Sequence, residues 1–165
     1  MFNSATFRIT EESDLQTLLV IYNYYITNSN ALWDDSPIPL EEFLNRIPIG
    51  NGKYRTYNIY LGMTIVGFCS LKQFIKKRAY DRTAEIGIYL KPEYTGKGIG
   101  QQAIAFIEDI AARHDIKVII VSISSDNSAC IKMFKHMSYI QCGYLKAIGE
   151  KSGRVLDGIY LQKEL

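Results

Sequence analysis

Leu15, Leu18, Leu19 and Tyr22 recur at i, i+3, i+4 and i+7, a spacing that predicts an amphipathic helix near the start of the chain. Thr10 is its expected N-cap, with Glu11, Glu12 and Asp14 in a first turn that favours acidic groups, and TFRIT (6–10) precedes it as a short strand. Prolines punctuate the approach to a second, short helix that starts near Leu40 and ends before Pro48. NGKYRTYNIY (51–60) and TIVGFCSLKQF (64–74) look like antiparallel strands joined through Leu61, Gly62 and Met63, and AEIGIYLK (84–91) follows as a third. Ile99, Ala103, Phe106, Ile107, Ile110 and Ala111 then form the apolar stripe of a clear helix, with Gln101, Gln102, Glu108 and Arg113 off it. KVIIVSI (117–123) is nearly all apolar, as expected of a strand buried on both faces. DNSACIKMFKHM (126–137) predicts a helix opened by Asp126 or Asn127, and strands around YIQCGYL (139–145) and LDGIYLQKEL (156–165) close the chain.

The segment from 84 to 123 runs strand, loop, helix, strand, so it is a crossover unit whose two strands are parallel, whereas the strands before it pair antiparallel. The expected fold is therefore α/β, a mixed sheet with helices on both faces. At 165 residues, with no internal repeat, low-complexity tract or linker, residues 1–165 are expected to form a single domain with a substantial core. A net charge of +2 spread along the chain gives no reason to expect nucleic acid or an anionic membrane as partner, and KKR (76–78) is too short to change that. MFNSATFRIT lacks the apolar region of a signal peptide, and VIIVSI (118–123) is far too short to span a bilayer, so a cytoplasmic location is expected. Cys69, Cys130 and Cys142 have no CxxC spacing, so they are expected as reduced thiols and no metal site is expected.

One stretch carries chemistry. EYTGKGIGQQ (93–102) sets Gly96, Gly98 and Gly100 at alternate positions between a strand and the start of a helix, with Lys97 among them. The first turn of a helix leaves four N–H groups unpaired and carries partial positive charge, which makes it an anion site. Glycines there keep side chains away from a pyrophosphate, although a glycine-rich turn of purely structural use has the same pattern. A dinucleotide fingerprint counted from Gly96 requires glycine at position 101, which is Gln101, and no stretch fits a P-loop. Alternation along the preceding strand places Glu85, Gly87 and Tyr89 on one face and Ile86, Ile88 and Leu90 on the other. Glu85 is thus either a solvated strand residue or a proton acceptor beside the loop.

Thr95-Gly96-Lys97-Gly98-Ile99-Gly100 resembles the pyrophosphate loop, Arg/Gln-x-x-Gly-x-Gly/Ala, of the GNAT family of N-acetyltransferases, with Thr95 departing from the first position. The resemblance narrows to the phosphinothricin or methionine sulfoximine acetyltransferase branch. IYNYYITNSN (21–30) with PLEEF (39–43) is similar to that branch's first-helix region, AYDRTAEIGIYL (79–90) to its Ala-Tyr-x-x-Thr-x-Glu strand, and GEKSGRVLDGIYLQ (149–162) to its Gly-x-Lys-x-Gly-x-x-x-Asp tail.

What the resemblance implies is a sheet splayed between its fourth and fifth strands, with acetyl-CoA as acetyl donor. Its pantetheine arm would pair with backbone near Ile88 and Leu90 and reach Asn127, and its pyrophosphate would sit on the N–H groups of Gly96 to Gly100. Glu85 would be the general base, and a backbone N–H near Tyr89 would polarise the carbonyl. Relatives place a Tyr or His where this chain has Phe134, which cannot donate a proton; His136, two residues on, points elsewhere on a helix and reads as a surface or packed residue. The acceptor implied is the α-amino group of a small amino acid analogue. Trp33, Asp34 and Asp35 would lie over its pocket, and Lys77, Arg78 and Arg82 are candidates for its carboxylate, against the alternative of a solvated hairpin. The branch also implies a homodimer. Two rival readings are an acetyl-CoA-binding sensor without turnover, which Phe134 favours, and a dinucleotide-binding protein, which the glycine spacing and the antiparallel strands oppose.

Overall fold

The computed structural model describes residues 4–165. Four antiparallel strands begin the sheet: β1 (Thr6–Ile9), β2 (Arg55–Leu61), β3 (Thr64–Gln73) and β4 (Thr83–Leu90), each paired with the next. Leu61 pairs with Thr64, so the β2–β3 turn is Gly62-Met63, one residue tighter than the sequence suggests, and Gly62 supplies the positive φ of 59° it needs. α1 (Leu15–Asn28) and α2 (Leu40–Leu44) lie between β1 and β2. After β4 come α3 (Ile99–Arg113), β5 (Val118–Ser124), α4 (Ser128–His136), β6 (Ile140–Lys151) and β7 (Arg154–Glu164). β5 is parallel to β4, and the sheet order is β1-β2-β3-β4-β5-β7-β6, the expected mixed α/β arrangement.

The alternation of the strands sorts apolar side chains into two cores. On one face Ile104 and Ile107 of α3 pack with Val66, Leu71, Ile86 and Ile119. On the other, Leu18 and Ile26 of α1 and Phe43 of α2 pack with Phe68. Each such buried side chain contributes about 1.5–3 kcal/mol of hydrophobic stabilisation, so both helix layers are held firmly to the sheet.

Two expectations are corrected. Thr10 does not cap a helix: its N–H continues the β1–β2 ladder to Thr56 O at 3.0 Å, which turns its hydroxyl inward to donate to Asn58 Oδ1 at 2.7 Å. Asn58 in turn donates to Asp14, α1 begins only at Leu15, and a 3₁₀ turn over Glu12–Asp14 fills the interval. The closing hairpin is also longer than 139–145 suggests, because irregularities between Gln141 and Gly143 and between Leu145 and Gly149 scramble the alternation by which a strand is read. Ala147, at φ 55°, sits in the second of these, and its N–H donates to the Asp157 carboxylate at 2.6 Å.

Arg46 grips Asp34 through both guanidinium nitrogens at 2.7 Å and ties α2 to the loop that follows α1. Those bonds hold the Asp34 carboxyl below its ordinary range. Its folded pKa is therefore depressed, so the stability it adds is present above the unfolded value of about 3.9 and is lost as pH falls through the folded one. In scanning calorimetry, the Tm gap between the wild-type chain and Asp34→Asn should be widest above about pH 4 and shrink at lower pH.

Candidate functional site

β4 and β5 pair only where Thr83, Ala84 and Glu85 face Val118, Ile119 and Ile120, although β4 continues to Leu90 and β5 to Ser124. Beyond Glu85 the strands part and leave backbone groups of β4 without a ladder partner. Which groups these are follows from two bonds. Arg82 O accepts from the amides of Lys117 and Val118 on the β5 side, and Lys91 N–H donates to Val66 O on the β3 side. With no irregularity in the β3–β4 register, even-numbered residues turn their backbone groups to the gap and odd-numbered ones to β3. Ile88 and Leu90 therefore face the gap. Tyr89 does not, so a gap-facing N–H near Tyr89 belongs to Ile88 or Leu90. The Tyr25 hydroxyl donates to Leu90 O at 2.5 Å and fastens α1 across the mouth of the gap.

The gap opens into a cleft of about 480 Å³. Its outer end is the glycine loop. Gly96 and Gly98 have φ of 70° and 78°, and a Cβ at either would meet nothing within 4 Å, so open space lies where their side chains would be. Gly100 serves helix packing instead, since a Cβ there would lie 2.6 Å from Met133 Sδ and its absence lets α3 approach α4. The first helical hydrogen bond of α3 runs from Gln102 N–H to Gly98 O, which leaves the amides of Ile99, Gly100 and Gln101 as free donors among the described residues. Ile99, 2% exposed, anchors that turn in the core, Thr95 donates its hydroxyl to Pro92 O at 2.8 Å, and Lys97 extends over the Tyr94 ring. Asn127 caps α4 by accepting from Cys130 N–H at 3.3 Å. Asn127 lines the cleft, and its amide NH₂ has no hydrogen-bond partner among the described residues.

These features fit acetyl-CoA: a nest of amides for pyrophosphate, a strand edge for the amides of pantetheine, and a side-chain donor between them.

At the inner end lies Glu85. Its side chain is about 30% exposed, and its carboxylate lies 3.7 Å from Lys72 Nζ and makes no hydrogen bond among the described residues. The Tyr89 ring folds over Gly87, where a Cβ would lie 3.3 Å from its Cε2; burial pushes its phenol well above the ordinary range, so it stays protonated. Cys130 also lines the cleft, and burial pushes its thiol up to about 12. It therefore supplies no thiolate nucleophile at neutral pH, which favours direct transfer over a covalent enzyme intermediate. Phe134 is buried against the cleft, while His136 is exposed and outside it.

The residues expected to hold an acceptor are not brought here. Lys77, Arg78 and Arg82 are exposed and none lines the cleft, because the β3–β4 connection carries them beyond the paired strands. Asp34 is occupied by Arg46, and Trp33 packs against Gly149, where a Cβ would lie 2.3 Å from its Cε3. Ala31 of that loop does line the cleft.

What fixes the loop was not expected from sequence. Lys151 donates to the carbonyls of Ile26, Ser29 and Leu32 at 2.5, 2.6 and 2.7 Å, and Ser152 N–H donates to Asp35 at 2.6 Å. The β6–β7 hairpin thus caps the end of α1 and holds the cleft's edge in place. Lys151→Met leaves three carbonyls uncapped, so equilibrium denaturation should show a loss of at least about 2 kcal/mol.

Residues 18–139 match the sequence model of the Acetyltransferase (GNAT) family. The chain is 27% identical over 167 residues to the L-methionine sulfoximine/L-methionine sulfone acetyltransferase of Pseudomonas paraeruginosa, covering 98% of this chain and 95% of that protein. A GNAT superfamily phosphinothricin acetyltransferase from Sinorhizobium meliloti, solved in complex with acetyl-CoA, superposes with a TM-score of 0.90 at 26% identity, covering 98% of this chain and 89% of its own. A ribosomal-protein-alanine N-acetyltransferase from Brucella melitensis superposes with a TM-score of 0.86 at 29% identity, covering 97% and 99%.

Proposed function

The chain belongs to the GNAT family of acetyl-CoA-dependent N-acetyltransferases, and from that premise we propose that it acetylates the α-amino group of a small amino acid or analogue, with Glu85 as general base. The observation that carries this reading is the cleft itself, which joins a glycine-lined amide nest at one end to an unbonded carboxylate at the other. The names of relatives that act on methionine sulfone, methionine sulfoximine and phosphinothricin support the acceptor class.

The donor supplies the acetyl thioester and a thiolate leaving group. The free amides of Ile99, Gly100 and Gln101, beside the open space at Gly96 and Gly98, and the side-chain amide of Asn127 hold it, and the gap-facing backbone of Ile88 and Leu90 aligns it. A gap-facing N–H polarises the carbonyl as negative charge develops on its oxygen. Glu85 removes the proton that the acceptor's ammonium must lose to attack. With Phe134 in place of a donor, the thiolate takes its proton from solvent. A sensor without turnover shares this cleft and is separated from an enzyme by acceptor-dependent thiol release. Residues 1–165 act as one domain in this reading. A homodimer belongs to it as well: Ile140, Tyr144, Ile148 and Val155 of the closing hairpin are exposed apolar side chains that a second copy would cover. Sedimentation at micromolar concentration should give twice the chain's mass, and a monomer there removes the dimer from the reading.

The acceptor is tested by a competition panel of methionine sulfone, methionine sulfoximine and phosphinothricin against spermidine and a peptide α-amine. The three analogues should show the higher kcat/KM. Preference for spermidine or the peptide would refute the acceptor class and leave the acetyltransferase assignment intact.

A further inference from the structure

An α-amino acid presents an ammonium and a carboxylate about 3 Å apart, a separation fixed by its two backbone bonds. The complement of that ligand is a carboxylate beside a cation, and we propose that Lys72 and Glu85 are this complement: a clamp in which the Lys72 ammonium takes the acceptor's carboxylate while Glu85 takes its amine. The proposal rests on the reading of the site as an amino acid N-acetyltransferase.

Register brings the pair together. Lys72 of β3 lies directly opposite Glu85 of β4, on the sheet face that also carries Tyr89, and both side chains line the cleft. Their 3.7 Å separation is loose beside the 2.7 Å of Arg46–Asp34 and the 2.9 Å of Lys163–Glu108, which are hydrogen-bonded structural ties. Neither Lys72 nor Glu85 makes a side-chain hydrogen bond to any described residue, yet each side chain is about 70% covered, with exposures of 29% and 30%. An ammonium and a carboxylate so covered, with their hydrogen-bonding capacity unused, are poised for a ligand that satisfies both. Other cations are committed elsewhere. Lys151 caps α1, Lys97 lies over Tyr94 on the glycine loop, and Lys72 is the one cation among the described residues that line the cleft. A zwitterion pairs head to tail with this arrangement. A polyamine brings cations alone and meets Lys72 as a like charge, and a peptide α-amine has no carboxylate next to it to offer.

Methionine sulfone and its carboxamide separate the two halves of the clamp, because they share an amine and differ only at the carboxylate. The wild-type chain should prefer the acid by roughly tenfold to a hundredfold in kcat/KM, the usual value of a charge-assisted anchor. Lys72→Met keeps the apolar stem, and it should collapse the acid-to-amide ratio toward one, chiefly through the KM of the acid. Lys72→Arg should keep most of the preference. Calorimetric titration of methionine sulfone into the CoA-bound protein should show the same loss of affinity on Lys72→Met without relying on turnover. An acid-to-amide ratio that is already near one in the wild-type chain, or that survives Lys72→Met, overturns the clamp and leaves amino acid acetylation standing. If the wild-type chain neither binds nor acetylates any of the amino acid analogues, the functional reading falls and the clamp falls with it.

Discussion

Replacing Glu85 with glutamine should lower kcat by roughly 10²–10⁴ at pH 7, the range for losing a general base. The substitution is nearly isosteric, and Glu85 makes no hydrogen bond among the described residues, so the fold is left undisturbed. The defect should shrink at high pH, where the amine sheds its proton unaided. Affinity for acetyl-CoA should persist, because the glycine loop proposed to hold the donor lies at the other end of the cleft from Glu85. Steady-state rates at pH 7 and near the amine's own pKa check both parts. A variant with wild-type rates at pH 7 would mean that water or another group removes the proton.

The second large effect concerns donor binding. Acetyl-CoA at a hundredfold excess over Kd should stabilise the wild-type chain by about 2.7 kcal/mol through mass action, and NAD should not. Gly98→Val should abolish that gain. A Cβ at Gly98 meets no protein atom within 4 Å, so the variant's side chain projects into the open space by the amides rather than into the core. The positive φ of 78° makes any branched residue strained and lowers the Tm of the ligand-free variant. The decisive quantity is therefore the ligand-induced shift and not the Tm itself. Stabilisation by NAD with none from acetyl-CoA would overturn the placement of the donor.

Much of this was legible in residue order. The stripe from Ile99 to Ala111, the apolar run at 118–123 and the glycines between strand and helix each carry a local signal, and all three lie where their periodicity places them. The opening between β4 and β5 came from the resemblance, since nothing local in AEIGIYLK says where pairing stops. The rest was hidden because it depends on register and on long-range contacts. Lys72 gains its place beside Glu85 only once β3 and β4 are aligned, and 12 intervening residues separate them in sequence, so Lys77, Arg78 and Arg82 looked nearer than they are. Lys151 reads as an exposed hairpin residue until the hairpin is seen to lie against α1. Trp33 and Asp34 sat in a segment that sounded like a substrate loop, and their contacts are with Gly149 and Arg46. Proximity in sequence was a poor guide to proximity in the cleft.

The most direct test is acceptor-dependent thiol release: the purified chain with acetyl-CoA, with and without methionine sulfone, with the amino acid product identified by mass spectrometry. Free CoA should appear in step with α-N-acetylmethionine sulfone and stay at background when the acceptor is omitted. Thiol release that is unchanged by methionine sulfone, methionine sulfoximine and phosphinothricin alike, in a protein that acetyl-CoA stabilises, would contradict amino acid acetylation at this site.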